Sequence, residues 1–155
     1  VFTQIDHVNI VVNDLNSMTA FYRDALGFEV TKEVTISGEW VESVVGLEGV
    51  VAEVVYLAPP SGPRVELIRY VSPEGHCPPD LGRSNTRGLR HIAFQVEEID
   101  AAVARLKSVA VRLLSEVQRV PNSQVTYSGG VCKQLVYFHD PEGNLLELCE
   151  YKAKP

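Results

Sequence analysis

At 155 residues, 45% hydrophobic and 22% charged, the chain has the size and make-up of one ordinary globular domain, which excludes disordered and fibrous classes. Fourteen Lys and Arg against twenty Asp and Glu give a formal charge of −6, so neither nucleic acid nor an anionic membrane surface is an expected partner. Its apolar runs fall short of the roughly 20 residues a membrane span needs.

In chain order, Val1–Ile10 carries Thr3, Gln4, Asp6, His7 and Asn9, and does not read as the apolar centre of a secretory leader. Ile5–Val12 is β-branched and apolar, and predicts a strand. Asp14 is placed to cap a helix over Leu15–Leu26, whose apolar residues Leu15, Met18, Phe21, Tyr22, Ala25 and Leu26 share one face. Gly27 ends it. A strand over Phe28–Ile36 follows, then a loop or short helix over Ser37–Gly49. Val50–Leu57 and Arg64–Val71 predict a hairpin around Pro60-Ser61-Gly62. Ser72–Gly88, rich in Pro and Gly, is expected to be a linker long enough to serve as a binding loop. A strand over Leu89–Val96, a helix over Ile99–Ser108 and a short strand near Val111–Leu114 come next. A second hairpin pairs Val131–Phe138 with Asn144–Tyr151. Cys77, Cys132 and Cys149 are odd in number and lack C-x-x-C spacing, so plain thiols and a cytoplasmic setting are expected.

The chain repeats itself. Asp6-His7-Val8-Asn9-Ile10-Val11-Val12 lies over Arg90-His91-Ile92-Ala93-Phe94-Gln95-Val96, 84 positions on. The stretch from Tyr56 to Leu67 lies over that from Tyr137 to Leu148, 81 positions on. Residues 1–71 and 89–155 thus form two modules of a single functional domain, joined by 72–88.

The repeat puts His7 and His91 at one equivalent strand position and Glu66 and Glu147 at another. Two modules related by a pseudo-twofold would turn these four towards a common cleft. Two imidazoles and two carboxylates suit a divalent ion such as Zn, Ni, Co, Fe or Mn, whose charge the carboxylates neutralise. Both glutamates sit between apolar neighbours, and strand alternation puts Glu66 with Ile68 and Glu147 with Cys149. A carboxylate on an apolar face needs a cation or donors.

These features resemble the vicinal oxygen chelate superfamily, which includes glyoxalase I, methylmalonyl-CoA epimerase, extradiol dioxygenases and the fosfomycin- and bleomycin-resistance proteins. The most specific stretch is Asp140-Pro141-Glu142-Gly143-Asn144-Leu145-Leu146-Glu147-Leu148, supported by Ile5-Asp6-His7-Val8 and by Phe21-Tyr22 through Leu26-Gly27-Phe28. The resemblance implies an α+β fold, two tandem βαβββ modules forming a curved, half-closed mixed sheet around a metal site. It places the ligands on His7, Glu66, His91 and Glu147. It also implies a homodimer, with the site closed within one chain or across two. The tetrad is of the glyoxalase I type. Methylmalonyl-CoA epimerase usually has Gln where this chain has Glu66. The loop from Gly38 to Val50 looks more like cyclitol (valiolone-type) epimerases.

The implied activity is that of a metal-dependent isomerase or lyase. It would act on a small molecule with two neighbouring oxygens, remove a proton α to a carbonyl and stabilise the enolate or enediolate. Glu147 is the first candidate base, with Glu66 and Glu53 as candidates for the second. Asn9, Gln95, Trp40 and Arg87 are candidate substrate contacts. The alternatives are an Fe(II) or Mn(II) ring-cleaving dioxygenase, and a non-catalytic binding or resistance protein.

Overall fold

The computed structural model describes residues 1–153. The chain divides into two compact units, Val1–Cys77 and Pro78–Pro155, and the division falls inside the stretch read as a linker.

The first unit runs β1 (His7–Val11), α1 (Leu15–Ala20), β2 (Glu29–Ser37), α2 (Glu39–Val45), β3 (Val51–Ala58) and β4 (Arg64–Ser72). Its sheet has the order β1-β4-β3-β2, with β1 parallel to β4 and the other pairs antiparallel. Asp14 caps α1 as the sequence suggests, its Oδ1 accepting the Ser17 N–H at 3.0 Å. The helix does not run on as α to Leu26. Residues Phe21–Ala25 form a π-helical turn, and Leu26 N–H reaches back five residues to the Phe21 carbonyl. Gly27 then takes φ +78°, which a side chain would resist.

Strand alternation divides the first unit's core into two layers. Val55, Leu57, Val65 and Leu67 are buried on the face where α1 meets β3 and β4. Ala52, Val54 and Ile68 turn to the opposite face and pack with Val41 and Val50, so α2 covers that side. The segment expected to be a loop or short helix is therefore a helix, Glu39–Val45, stopped by Gly46 in the left-handed conformation.

The second unit runs β5 (His91–Gln95), α3 (Ile99–Ser108), β6 (Gln118–Arg119), β7 (Val131–His139) and β8 (Leu145–Ala153), with sheet order β5-β8-β7-β6. Helix α3 has the bounds the sequence predicts and buries Ile99, Val103 and Leu106. Its first N–H goes to a distant carboxylate: Ile99 N donates to Glu150 Oε2 at 3.4 Å, and Lys152 Nζ pairs with the same oxygen at 3.1 Å. The expected strand near Val111–Leu114 is absent. Leu113 makes an isolated bridge to Phe138, and the paired edge strand lies further on, at Gln118–Arg119. Together the two units are α+β, each a four-stranded mixed sheet with unclosed edges. No helix among the described residues is long and apolar enough to cross a membrane.

Candidate functional site

In the first unit the register sets Asn9 opposite Glu66 on β1–β4, and Tyr56 opposite Glu66 on β3–β4. His7 lies two residues before Asn9 and shares its face. His7 Nε2 stands 3.4 Å from Glu66 Oε2. The same oxygen accepts from Asn9 Nδ2 at 2.6 Å, and Oε1 accepts the Tyr56 hydroxyl in a short bond. Bonding to this carboxylate, with burial adding to it, pushes the Tyr56 phenol up to about 12, so it stays a neutral donor.

Behind the imidazole, His7 Nδ1 donates to Asp6 Oδ2 at 2.7 Å, and Arg64 reaches the same oxygen at 2.5 Å. The His7 and Arg64 bonds together hold Asp6 below the usual carboxylate range. An ionised Asp6 only accepts, so His7 Nδ1 carries its proton and Nε2 is the nitrogen turned towards Glu66.

The second unit repeats the pair. Ala93 and Tyr137 stand opposite Glu147 on either side, and His91 Nε2 is 3.2 Å from Glu147 Oε2. The Glu147 side chain is only 4% exposed, and its Oε1 pairs with Lys133 Nζ at 2.6 Å. Burial lowers the Lys133 pKa, but the bond and charge of Glu147 outweigh it and leave the ammonium above its ordinary value. Burial, and then the Glu147 charge, raise the Tyr137 phenol. Tyr137 also contacts the His91 ring, 5.0 Å between centroids.

Each His–Glu pair has the spacing of two ligands on one ion: donors bound at about 2.1 Å stand roughly 3.0–3.4 Å apart at octahedral to tetrahedral angles. The chemistry of each pair therefore fits a divalent ion. Among the described residues, no group of three or more His, Cys, Asp and Glu is gathered to hold one.

Glu53 stands opposite Arg69 and pairs with it at 3.0 Å. Both are one step out of phase with Val54 and Ile68, so the structure puts Glu53 on the sheet face opposite Glu66. Gln95 is exposed on β5 and shares the face of His91. Trp40 is 59% exposed in the first turn of α2. Arg87 is exposed in a linker that the second unit holds down: Arg90 donates to the carbonyls of Leu81 and Arg83, and His139 Nε2 meets the Gly82 carbonyl at 3.0 Å. A Cβ on Gly82 would stand 2.9 Å from His139 Nε2 and 3.0 Å from the Gly143 carbonyl, so that contact requires glycine. The three cysteines are free thiols.

Sequence reasoning singled out neither Tyr56, Tyr137, Asp6 nor Lys133 for the site. The two tyrosines were legible as a matched pair 81 positions apart. Asp6 and Lys133 carried no such signal, since the repeat puts Arg90 over Asp6 and Lys133 over Ala52.

The family model of the Glyoxalase/Bleomycin resistance protein/Dioxygenase superfamily matches residues 4–148. The chain belongs to this superfamily. Among its relatives, the uncharacterized protein YaeR of Escherichia coli is 35% identical over 150 residues, covering 95% of each chain. Mitochondrial methylmalonyl-CoA epimerase of Homo sapiens is 29% identical over 147 residues, 94% of this chain and 72% of that one. Among solved structures, a glyoxalase family protein from Bacillus cereus superposes with a TM-score of 0.81 at 29% identity, covering 97% of this chain and 95% of that one. Superfamily membership sets this chain beside relatives that include methylmalonyl-CoA epimerases.

Proposed function

We propose that this protein is a metal-dependent isomerase or lyase that moves a proton at a carbon next to a carbonyl. The observation that carries the reading is the repetition of one His–Glu pair, 3.4 Å apart in one unit and 3.2 Å in the other, at equivalent positions of a duplicated module. One divalent ion would take both pairs, His7 with Glu66 and His91 with Glu147, in a homodimeric, cytoplasmic protein. Such an ion, when bound, stabilises negative charge on a substrate oxygen as a Lewis acid.

The chain's own residues then have separate tasks. Asp6 fixes the His7 tautomer and so keeps the Nε2 lone pair available. Tyr56 and Asn9 hold the Glu66 carboxylate through neutral donors and leave its charge intact. Glu147 takes the substrate proton, and Glu66 is the proposed second base, which epimerisation needs on the opposite face of the carbon. Gln95 and Trp40 remain available to the substrate. Glu53 has no part, because it is committed to Arg69 on the other face of its sheet.

Metal analysis of the purified protein tests the site. About one divalent ion per chain is expected, and His91→Ala should lose it. Full occupancy in His91→Ala would refute the tetrad. The reaction is tested in heavy water with methylmalonyl-CoA, a glutathione hemithioacetal and a cyclitol ketone as probes, following deuterium at the α-carbon by NMR. Exchange lost in Glu147→Gln supports the base. Exchange untouched in that variant rejects it, and oxygen consumption dependent on Fe(II) or Mn(II) replaces the reading with an oxygenase.

A further inference from the structure

Among the described residues, the second unit sets a cation on its glutamate and the first does not. Lys133 stands opposite Tyr151 on β7–β8, while Glu147 stands opposite Tyr137, four residues along the same hairpin. To reach Glu147, the lysine stem must therefore run along the strand past the Leu135–Cys149 pair. It ends 2.6 Å from Oε1, with the two side chains 16% and 4% exposed. The Tyr151 ring lies 6.0 Å from the ammonium, and Tyr137 is a neutral phenol. The ammonium is thus a nearly buried charge matched to one carboxylate, the same carboxylate proposed as a metal ligand.

The equivalent position in the first unit is Ala52, opposite Tyr70 and fully buried with Val41 and Val50. It supplies no charge. Glu66 is met instead by a hydroxyl, an amide and an imidazole. The duplicated hairpin therefore carries a counter-ion on one side only.

We propose that Lys133 is the resident counter-ion of Glu147, competing with the divalent ion for this carboxylate and setting the affinity of the site. This inference rests on the metal reading above. In the metal-free protein Lys133 holds Glu147 in place and offsets the cost of its burial. When an ion binds, it must displace the ammonium from Glu147 or share the carboxylate with it. Either way the positive charge of Lys133 opposes that of the ion. Removing the ammonium leaves the four ligands untouched and removes the competitor.

The test is metal binding by the full chain, stripped with chelator and titrated with Co(II) or Zn(II) against a fluorescent chelator. Circular dichroism checks folding. Wild type, Lys133→Met, Lys133→Gln and Lys133→Arg are compared. The neutral variants should bind about tenfold or more tightly, and Lys133→Arg should stay near wild type. Lys133→Gln keeps the comparison available if Lys133→Met fails to fold. Unchanged or weaker binding in a folded neutral variant would overturn the proposal while leaving the metal reading intact. Binding by the neutral variants alone would support it in its strongest form. No binding by any folded variant would refute the metal reading and the proposal with it.

Discussion

Glu66 accepts from the Tyr56 hydroxyl and the Asn9 amide and faces an imidazole tied to Asp6, whereas Glu147 is paired with the Lys133 ammonium and faces an imidazole preceded by Arg90. Arg90 turns to the linker carbonyls of Leu81 and Arg83. The backbones around the two carboxylates are equivalent: Tyr56 opposes Glu66 as Tyr137 opposes Glu147. What differs is how each negative charge is met, by a hydroxyl and an amide in one unit and by an ammonium in the other. Duplication preserved the position of the carboxylate while its surroundings diverged.

The largest expected contrast is in stability. In chelator-treated protein, Glu147→Leu strands a mostly buried ammonium, which should cost about 2–3 kcal/mol once the residual solvent access of Lys133 is allowed for. Glu66→Leu strands only a hydroxyl and an amide, at roughly 1–2 kcal/mol. Urea unfolding of the two variants measures this. An equal or reversed order would mean that Lys133 finds another partner. Adding Lys133→Met to Glu147→Leu should recover most of the loss.

The second contrast lies behind the histidines. Asp6→Asn weakens the acceptor that fixes His7, and metal affinity should fall about tenfold. Replacing Arg90, the repeat-equivalent residue, should leave metal affinity within about twofold of wild type, because its contacts are carbonyls of the linker. Titration against a competing chelator reads both variants. A loss in the arginine variant as large as in Asp6→Asn would show that the linker orients His91. Tyr56→Phe comes next, costing about 1 kcal/mol in urea unfolding through the lost bond to Glu66. Tyr137→Phe should cost less, since Lys133 already meets Glu147.

Most of the fold was legible because it rests on period. Strand alternation put Glu66 with Ile68 and Glu147 with Cys149, and the observed registers agree. The helix at Ile99–Ser108 was legible from its spacing of apolar residues. Features without a period were missed. The π-helical turn at Phe21–Ala25 keeps the same buried residues as an α-helix while changing only the hydrogen bonds, so the apolar pattern does not report it. The strand expected at Val111–Leu114 has the right composition, but it makes only a bridge at Leu113, with Leu114 N–H bonded to the Tyr137 carbonyl, before pairing resumes at Gln118. Lys133 was invisible for a different reason. The flexible Lys133 stem and the Glu147 side chain together span four residues of strand, and no sequence spacing encodes that choice.

Glu53 and Glu66 give the smallest effect and a test of the face assignment. Both are glutamates on neighbouring antiparallel strands, and both interrupt apolar runs. Glu66 shares its face with Tyr56 and is enclosed by donors, whereas Glu53 pairs with Arg69 where both side chains are more than two-fifths exposed. An exposed pair of this kind contributes roughly 0–1 kcal/mol, since solvent screens it and both side chains lose freedom. Glu53→Gln should therefore change unfolding by less than about 1 kcal/mol. It should also leave metal affinity and α-proton exchange within about twofold of wild type, because strand alternation turns its carboxylate away from His7 and Glu66. A Glu53→Gln variant that keeps its metal but loses exchange would mean that this face of β3 meets the substrate, and would move the second base from Glu66 to Glu53.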